Sequence, residues 1–181
     1  MRWLLSVALC FLCIVANAAD VEVNGSGLIV RNGFRAGDLL RIQKLLRGRR
    51  VIELQSWGGD GDTAMDIADY VYWHHVDIVV NGVCTSGCAF PALVAMSQGR
   101  LWLGPQAIIG VHMAKNTKTG VPNKGWTRQA MRMLASYGVP DAALDPMLVT
   151  PPDLMHFFNN DELVSWGAKK GAPKRPIDKG Q

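Results

Sequence analysis

Residues 77–97 read Asp77-Ile78-Val79-Val80-Asn81-Gly82-Val83-Cys84-Thr85-Ser86-Gly87-Cys88-Ala89-Phe90-Pro91-Ala92-Leu93-Val94-Ala95-Met96-Ser97. Asp77 to Val80 is a short β-branched run of the kind that forms a buried strand. Gly87 to Ser97 is small and apolar on every side, which predicts a buried helix. Between them stands Ser86, flanked by Cys84 and Cys88. A serine where a strand meets a buried helix can present its hydroxyl at the sheet edge, where a helix N-terminus favours developing negative charge. The plainer use of serine at such a place is as an N-cap. The segment is not the G-x-S-x-G elbow, because cysteines stand where that motif has glycines.

Outward from this stretch, strand and helix signals alternate. Val21 to Val23 and Leu28 to Val30 predict two short strands around a turn at Asn24-Gly25-Ser26-Gly27. Leu39, Ile42 and Leu46 recur at helical spacing and predict an amphipathic helix over about 36–48. Val51 to Gln55 is a strand, followed by the loop Ser56-Trp57-Gly58-Gly59-Asp60-Gly61-Asp62. Ala64, Ile67, Ala68, Val71 and Tyr72 mark a second helix with Asp62 as its N-cap. Leu101 to Leu103 and Ala107 to Val111 are strands, Trp126 to Tyr137 a helix closed by Gly138 and Pro140, and Asp161 to Trp166 a last short helix. The alternation predicts a single α/β domain with a mainly parallel sheet and flanking helices.

Both ends differ from the middle. Arg2, the uncharged run Trp3 to Ala16 and the small-x-small site Ala16-Asn17-Ala18 have the anatomy of a secretory signal peptide over 1–18, cleaved before Ala19. The apolar run is shorter than the ~20 residues that span a bilayer. The protein is therefore expected outside the cytoplasm, periplasmic or secreted, and cleavage leaves only Cys84 and Cys88 of its cysteines. These two can form a disulfide, which export permits, or stay as buried thiols; no second ligand pair completes a metal site with them. Residues 171–181 form a basic tail too poor in apolar residues to fold.

The 181-residue chain carries 19 basic and 15 acidic side chains, and the stretch from Lys169 onward accounts for the whole net charge of +4. This is no argument for a nucleic-acid partner. Gly120-Val121-Pro122-Asn123-Lys124-Gly125-Trp126-Thr127 has the glycine spacing of a P-loop, but Trp126 takes the place of the required lysine. No cofactor is expected.

Two further features complete a candidate site. Gly58-Gly59 follows a strand and lets the backbone approach a ligand closely. His112 ends the strand Ala107 to Val111, a position suited to a general base. His74, His75 and His156 are weaker candidates, the first two closing a helix and the third lying among Met155, Phe157 and Phe158.

Taken in order (strand, Gly-Gly, helix, strand, serine, helix, two strands, histidine), the chain resembles the Clp protease proteolytic subunit and the wider Clp/crotonase fold. More closely it resembles secreted or periplasmic Clp-like proteins with a C-x-S-x-C segment. Leu54-Gln55-Ser56-Trp57-Gly58-Gly59 matches the oxyanion loop, where N-S-P-G-G is the more usual text. Cys84-Thr85-Ser86-Gly87-Cys88-Ala89 matches the nucleophile segment, and Ile108-Ile109-Gly110-Val111-His112 the strand that ends in the catalytic histidine. The likeness covers roughly 28–170 of the domain expected over 19–170.

The resemblance implies a serine peptidase of peptides or unfolded chains. Ser86 would be the nucleophile, His112 the base, and the N–H groups of Gly58 or Gly59 and of Gly87 the oxyanion donors. For the third member it implies Asp153, at the price of a two-residue insertion; Asp145, Asp161, a dyad without an acid and a Ser86–Lys115 pair are the alternatives. It also implies a homo-oligomer, although the polar loop Lys115 to Lys124 stands where the family has the long helix of its ring-on-ring assembly. An exported protein would have no ATPase partner. A non-catalytic binding or assembly protein of the same fold is the competing reading, and acyl-thioester chemistry a third, without a residue set to support it.

Overall fold

The computed structural model describes residues 19–25 and 27–173. The expected signal peptide, 1–18, and most of the expected tail, 174–181, lie outside them. Within them, eight strands form one sheet and six α-helices pack around it. β1 (Asp20–Asn24) and β2 (Gly27–Arg31) make an antiparallel hairpin. β2, β3 (Val51–Ser56), β4 (Asp77–Thr85) and β5 (Leu101–Leu103) then run parallel to one another, as the strand–helix alternation requires.

β4 organises the sheet. The β-branched run predicts it over Asp77 to Val80. It instead continues to Thr85 and changes partner on one side. Ile78 to Val80 pair with β5, and Val83 to Thr85 pair with β6 (Ile108–Val111). Asn81-Gly82 is the hand-over between the two, with the Gln106 N–H reaching Asn81 Oδ1 at 3.4 Å. β6 is covered on its far side by antiparallel β7 (His156–Phe157), and β8 (Lys169–Lys170) closes the β5 edge.

The helices are α1 (Asp38–Leu46), α2 (Gly61–His74), α3 (Ala89–Ser97), α4 (Lys124–Ser136), α5 (Asp141–Val149) and α6 (Asn160–Ser165). Residues Ala89 through Met96 of α3 are all buried, as its lack of a polar face dictates. They join Ile52, Leu54, Ile78, Val80 and Ile109 of the sheet in one core. None of the helices among the described residues is long and apolar enough to cross a membrane.

Two details depart from expectation. The N-cap of α2 is Asp60, not Asp62: its Oδ1 accepts the N–H of Thr63 at 2.8 Å, which satisfies a free donor of the first turn. α5 was not anticipated, because Pro146 interrupts its pattern; the proline is nevertheless accommodated inside the helix.

Candidate active site

Three parallel strands end side by side at the site. β3 ends at Ser56, β4 at Thr85 and β6 at Val111, and the chain then continues into Gly58-Gly59, Ser86-Gly87 and His112 respectively. Register fixes the neighbours: Ser56 pairs with Cys84, and Thr85 with Gly110. Ser86, Gly59, Gly87 and His112 all line one cleft of about 670 Å³. Ligands of parallel α/β sheets bind at such carboxyl ends of strands.

Ser86 has φ 57°, one of three non-glycine residues among those described with left-handed backbone. Thr85 before it is extended, and a single 3-10 turn, Ser86–Cys88, leads into α3. The turn is tied by a disulfide between Cys84 and Cys88, Cα atoms 5.1 Å apart, with both residues fully buried. The bridge therefore encloses Ser86 between the end of β4 and the start of the helix.

The Gly58-Gly59 loop lies directly beside this turn. A Cβ on Gly58 would stand 2.7 Å from the Ser86 Cβ and 2.8 Å from the Gly87 nitrogen, and its φ is +101°. Only glycine meets both conditions. The two glycines differ in what their amides do. Gly58 donates its N–H to Ser56 Oγ at 3.1 Å. Gly59 forms a parallel bridge with Phe34, made by Phe34 N–H to the Gly58 carbonyl at 2.6 Å and Asp60 N–H to the Phe34 carbonyl at 2.9 Å. The Gly59 N–H takes no part in this bridge. Among the described residues it has no hydrogen-bond partner. Gly59 and Gly87 line the cleft beside Ser86, whereas the Gly58 N–H is taken by Ser56.

His112 is fixed by its neighbours in the chain. Val111 pairs with His156 of β7, and Met113 donates its N–H to the Thr150 carbonyl at 2.9 Å. Burial holds the imidazole pKa below its ordinary 6.5; the Met113 backbone opposes this in part, and the positive charge of Lys115 adds to it. The ring is therefore neutral at pH 7, the state a proton acceptor needs. Its Nδ1 is buried and has no hydrogen-bond partner among the described residues. Asp153 lies exposed on the turn after α5 and does not reach that nitrogen, although Pro152 beside it lines the cleft. Asp161 forms an ion pair with Lys170 at 3.0 Å.

The rest of the cleft comes from segments with little sequence signal. Trp126 of α4 lies against Gly61, stacks with Phe90 at 6.1 Å and donates its Nε1–H to Asp62 at 2.9 Å. The polar segment after His112 is a hairpin closed by Asn116 N–H to the Val121 carbonyl at 2.8 Å and Asn123 N–H to the Ala114 carbonyl at 2.7 Å. It brings Lys115 and Lys118 to the cleft rim. Ser56, read only as a loop residue, is buried and links the Asn32 carbonyl to Gly58. Among the described residues no three His, Cys, Asp or Glu side chains converge as a metal site would require.

No family model and no curated protein matches this chain. Solved structures do. A point mutant of ClpP1 from Listeria monocytogenes aligns with a TM-score of 0.57 at 16% identity, covering 81% of this chain and 92% of that one. ClpP1 from the same organism aligns with a TM-score of 0.58 at 14% identity over the same shares. The fold is thus a Clp-type α/β fold. At this identity the likeness speaks for the fold alone.

Proposed function

We propose that the protein is an exported serine hydrolase of the Clp-like group with a C-x-S-x-C segment, cleaving peptides or already unfolded chains. The observation that carries the reading is the placing of Ser86, in left-handed backbone, in one cleft with His112, Gly59 and Gly87. Ser86 Oγ attacks the scissile carbonyl carbon, and His112 takes its proton and returns it to the leaving amine. The Gly59 and Gly87 N–H groups hold the oxyanion; one such donor is worth roughly 3–4 kcal/mol of barrier. Among the described residues no carboxylate meets Nδ1, so the site works as a Ser–His dyad. Export separates it from any cytosolic ATPase, which restricts it to substrates that need no unfolding. A homo-oligomer fits the fold, and nucleic acid has no place in the reading.

The same Nδ1 favours a second reading. A histidine without an orienting acid is what a non-catalytic, binding member of the fold would retain. Labelling of the oxidised mature protein with a fluorophosphonate separates the two. The hydrolase reading expects covalent labelling that Ser86→Ala abolishes and His112→Ala lowers by about 10²-fold or more. An intact, folded wild type that never labels overturns the hydrolase reading in favour of the non-catalytic one.

A further inference from the structure

The first described residue is held in a built site. Ala19 is fully buried. Its nitrogen lies 3.2 Å from Oδ2 of Asp38, and its carbonyl accepts a hydrogen bond from Arg41 Nη1 at 2.9 Å. Asp38 is itself buried, with 3% of its surface exposed. Its Oδ2 also accepts the Arg35 N–H at 2.7 Å, so the carboxylate ties the Ala19 nitrogen to the segment that precedes α1. That segment contains Phe34, whose backbone bridges Gly58, Gly59 and Asp60. Independently, the sequence places a small-x-small processing site immediately before Ala19.

We propose that hydrolysis of the Ala18–Ala19 bond creates an N-terminal ammonium that docks on Asp38 and, through the Phe34 bridge, braces the Gly58-Gly59 loop beside Ser86. A processing peptidase adds water across the bond. The hydroxyl goes to the Ala18 carbonyl carbon and a proton to the Ala19 nitrogen, which takes a second proton from solvent. A neutral amide donor to a buried carboxylate becomes a charge-assisted pair, roughly twice as strong as a neutral hydrogen bond. It also supplies a countercharge to Asp38, whose burial as a lone anion is unfavourable. Removal of the signal segment is then a maturation step for the site as well as a release from the export machinery.

The proposal rests on the export part of the functional reading. The protein recovered from an export-competent host should begin at Ala19; any other N-terminus overturns the proposal. Three full-length mature chains are then compared in urea: one beginning at Ala19, one carrying an additional Met-Gly before it, and one acetylated at Ala19. The free Ala19 form should have a folded-to-unfolded ratio about tenfold or more above the other two. In Asp38→Asn the three should converge. Equal stability of the three wild-type chains overturns the docking, and because all three keep Asp38 and the whole core, misfolding of the variant does not blur the result. Fluorophosphonate labelling should also fall in the extended and acetylated forms. A stability difference without labelling of any form would leave the docking intact and refute the hydrolase.

Discussion

His112 decides how the cleft responds to protons. Burial and the Lys115 charge both disfavour imidazolium, so the ring stays neutral to a lower pH than a free histidine. Its ring protons should titrate with an apparent pKa below 6.5 in an NMR titration, the resonance being assigned by its loss in His112→Ala. Lys115→Ala removes one of the two lowering influences and should move that pKa upward; a ring that titrates above 6.5, or that ignores Lys115, contradicts the geometry. At this scale the sequence was informative where a side chain follows directly on a strand. Ser86 and His112 are such residues, and with Gly59 they line one cleft. What meets Nδ1 is not encoded locally, because it depends on how the turn after α5 is placed. Asp153 is implied by the resemblance alone, and the turn leaves it exposed. The division of labour between the two glycines was equally hidden, since it is set by Ser56 and Phe34.

At the level of elements, the disulfide joins the last turn of strand to the first turn of helix. A bridge over so few residues restrains the unfolded chain little, by about 2 kcal/mol of loop entropy. Its larger effect is on the conformation of Ser86. Left-handed backbone at a non-glycine residue costs on the order of 1–3 kcal/mol, and with the bridge cut the 3-10 turn is free to relax into α3. A Cys84→Ser/Cys88→Ser double variant should therefore remain folded, the lost restraint of about 2 kcal/mol being offset in part by relief of the Ser86 strain. Its Ser86 labelling rate should fall by about tenfold or more as the left-handed conformer loses population. Labelling at the wild-type rate in the folded double variant would show that the turn needs no bridge. The elements themselves were legible where periodicity is clean: α1, α2, α3, α4 and α6 fall near their expected places. β4 runs beyond the β-branched Asp77 to Val80, because Asn81-Gly82, a pair with the chemistry of a turn, is the point where the strand exchanges β5 for β6. α5 was missed for a related reason: a proline argues against a helix unless packing outweighs the lost hydrogen bond.

Across the whole molecule, the cleft exists because α4, far along the chain, is held against α2 and so keeps Trp126 over Gly61. The far end of α4 is fastened to α2 at Tyr137, which stacks on Tyr72 at 4.3 Å and donates its hydroxyl to Asp69. Burial, the hydrogen bond to Asp69 and the negative charge of Asp69 push the phenol from 10.0 up to about 12. The sign of the consequence follows from which state holds the proton. Between pH 10.0 and about 12 the unfolded chain has released the phenolic proton and the folded chain has kept it. Ionisation then favours unfolding, so this contribution is complete below the unfolded pKa and is lost as pH rises toward the folded one. Urea midpoints measured from about pH 9 to about pH 11.5 should fall for the wild type, through Tyr137 and every other group that ionises there. Tyr137→Phe has no phenol to ionise. It should start less stable at the low end of the range, having lost the Asp69 bond, and fall less steeply, so that the gap between the two proteins narrows with pH. Parallel curves would mean that the α2–α4 clasp does not depend on the Tyr137 proton, and that the Tyr72 stack and the buried core hold Trp126 over the cleft without it.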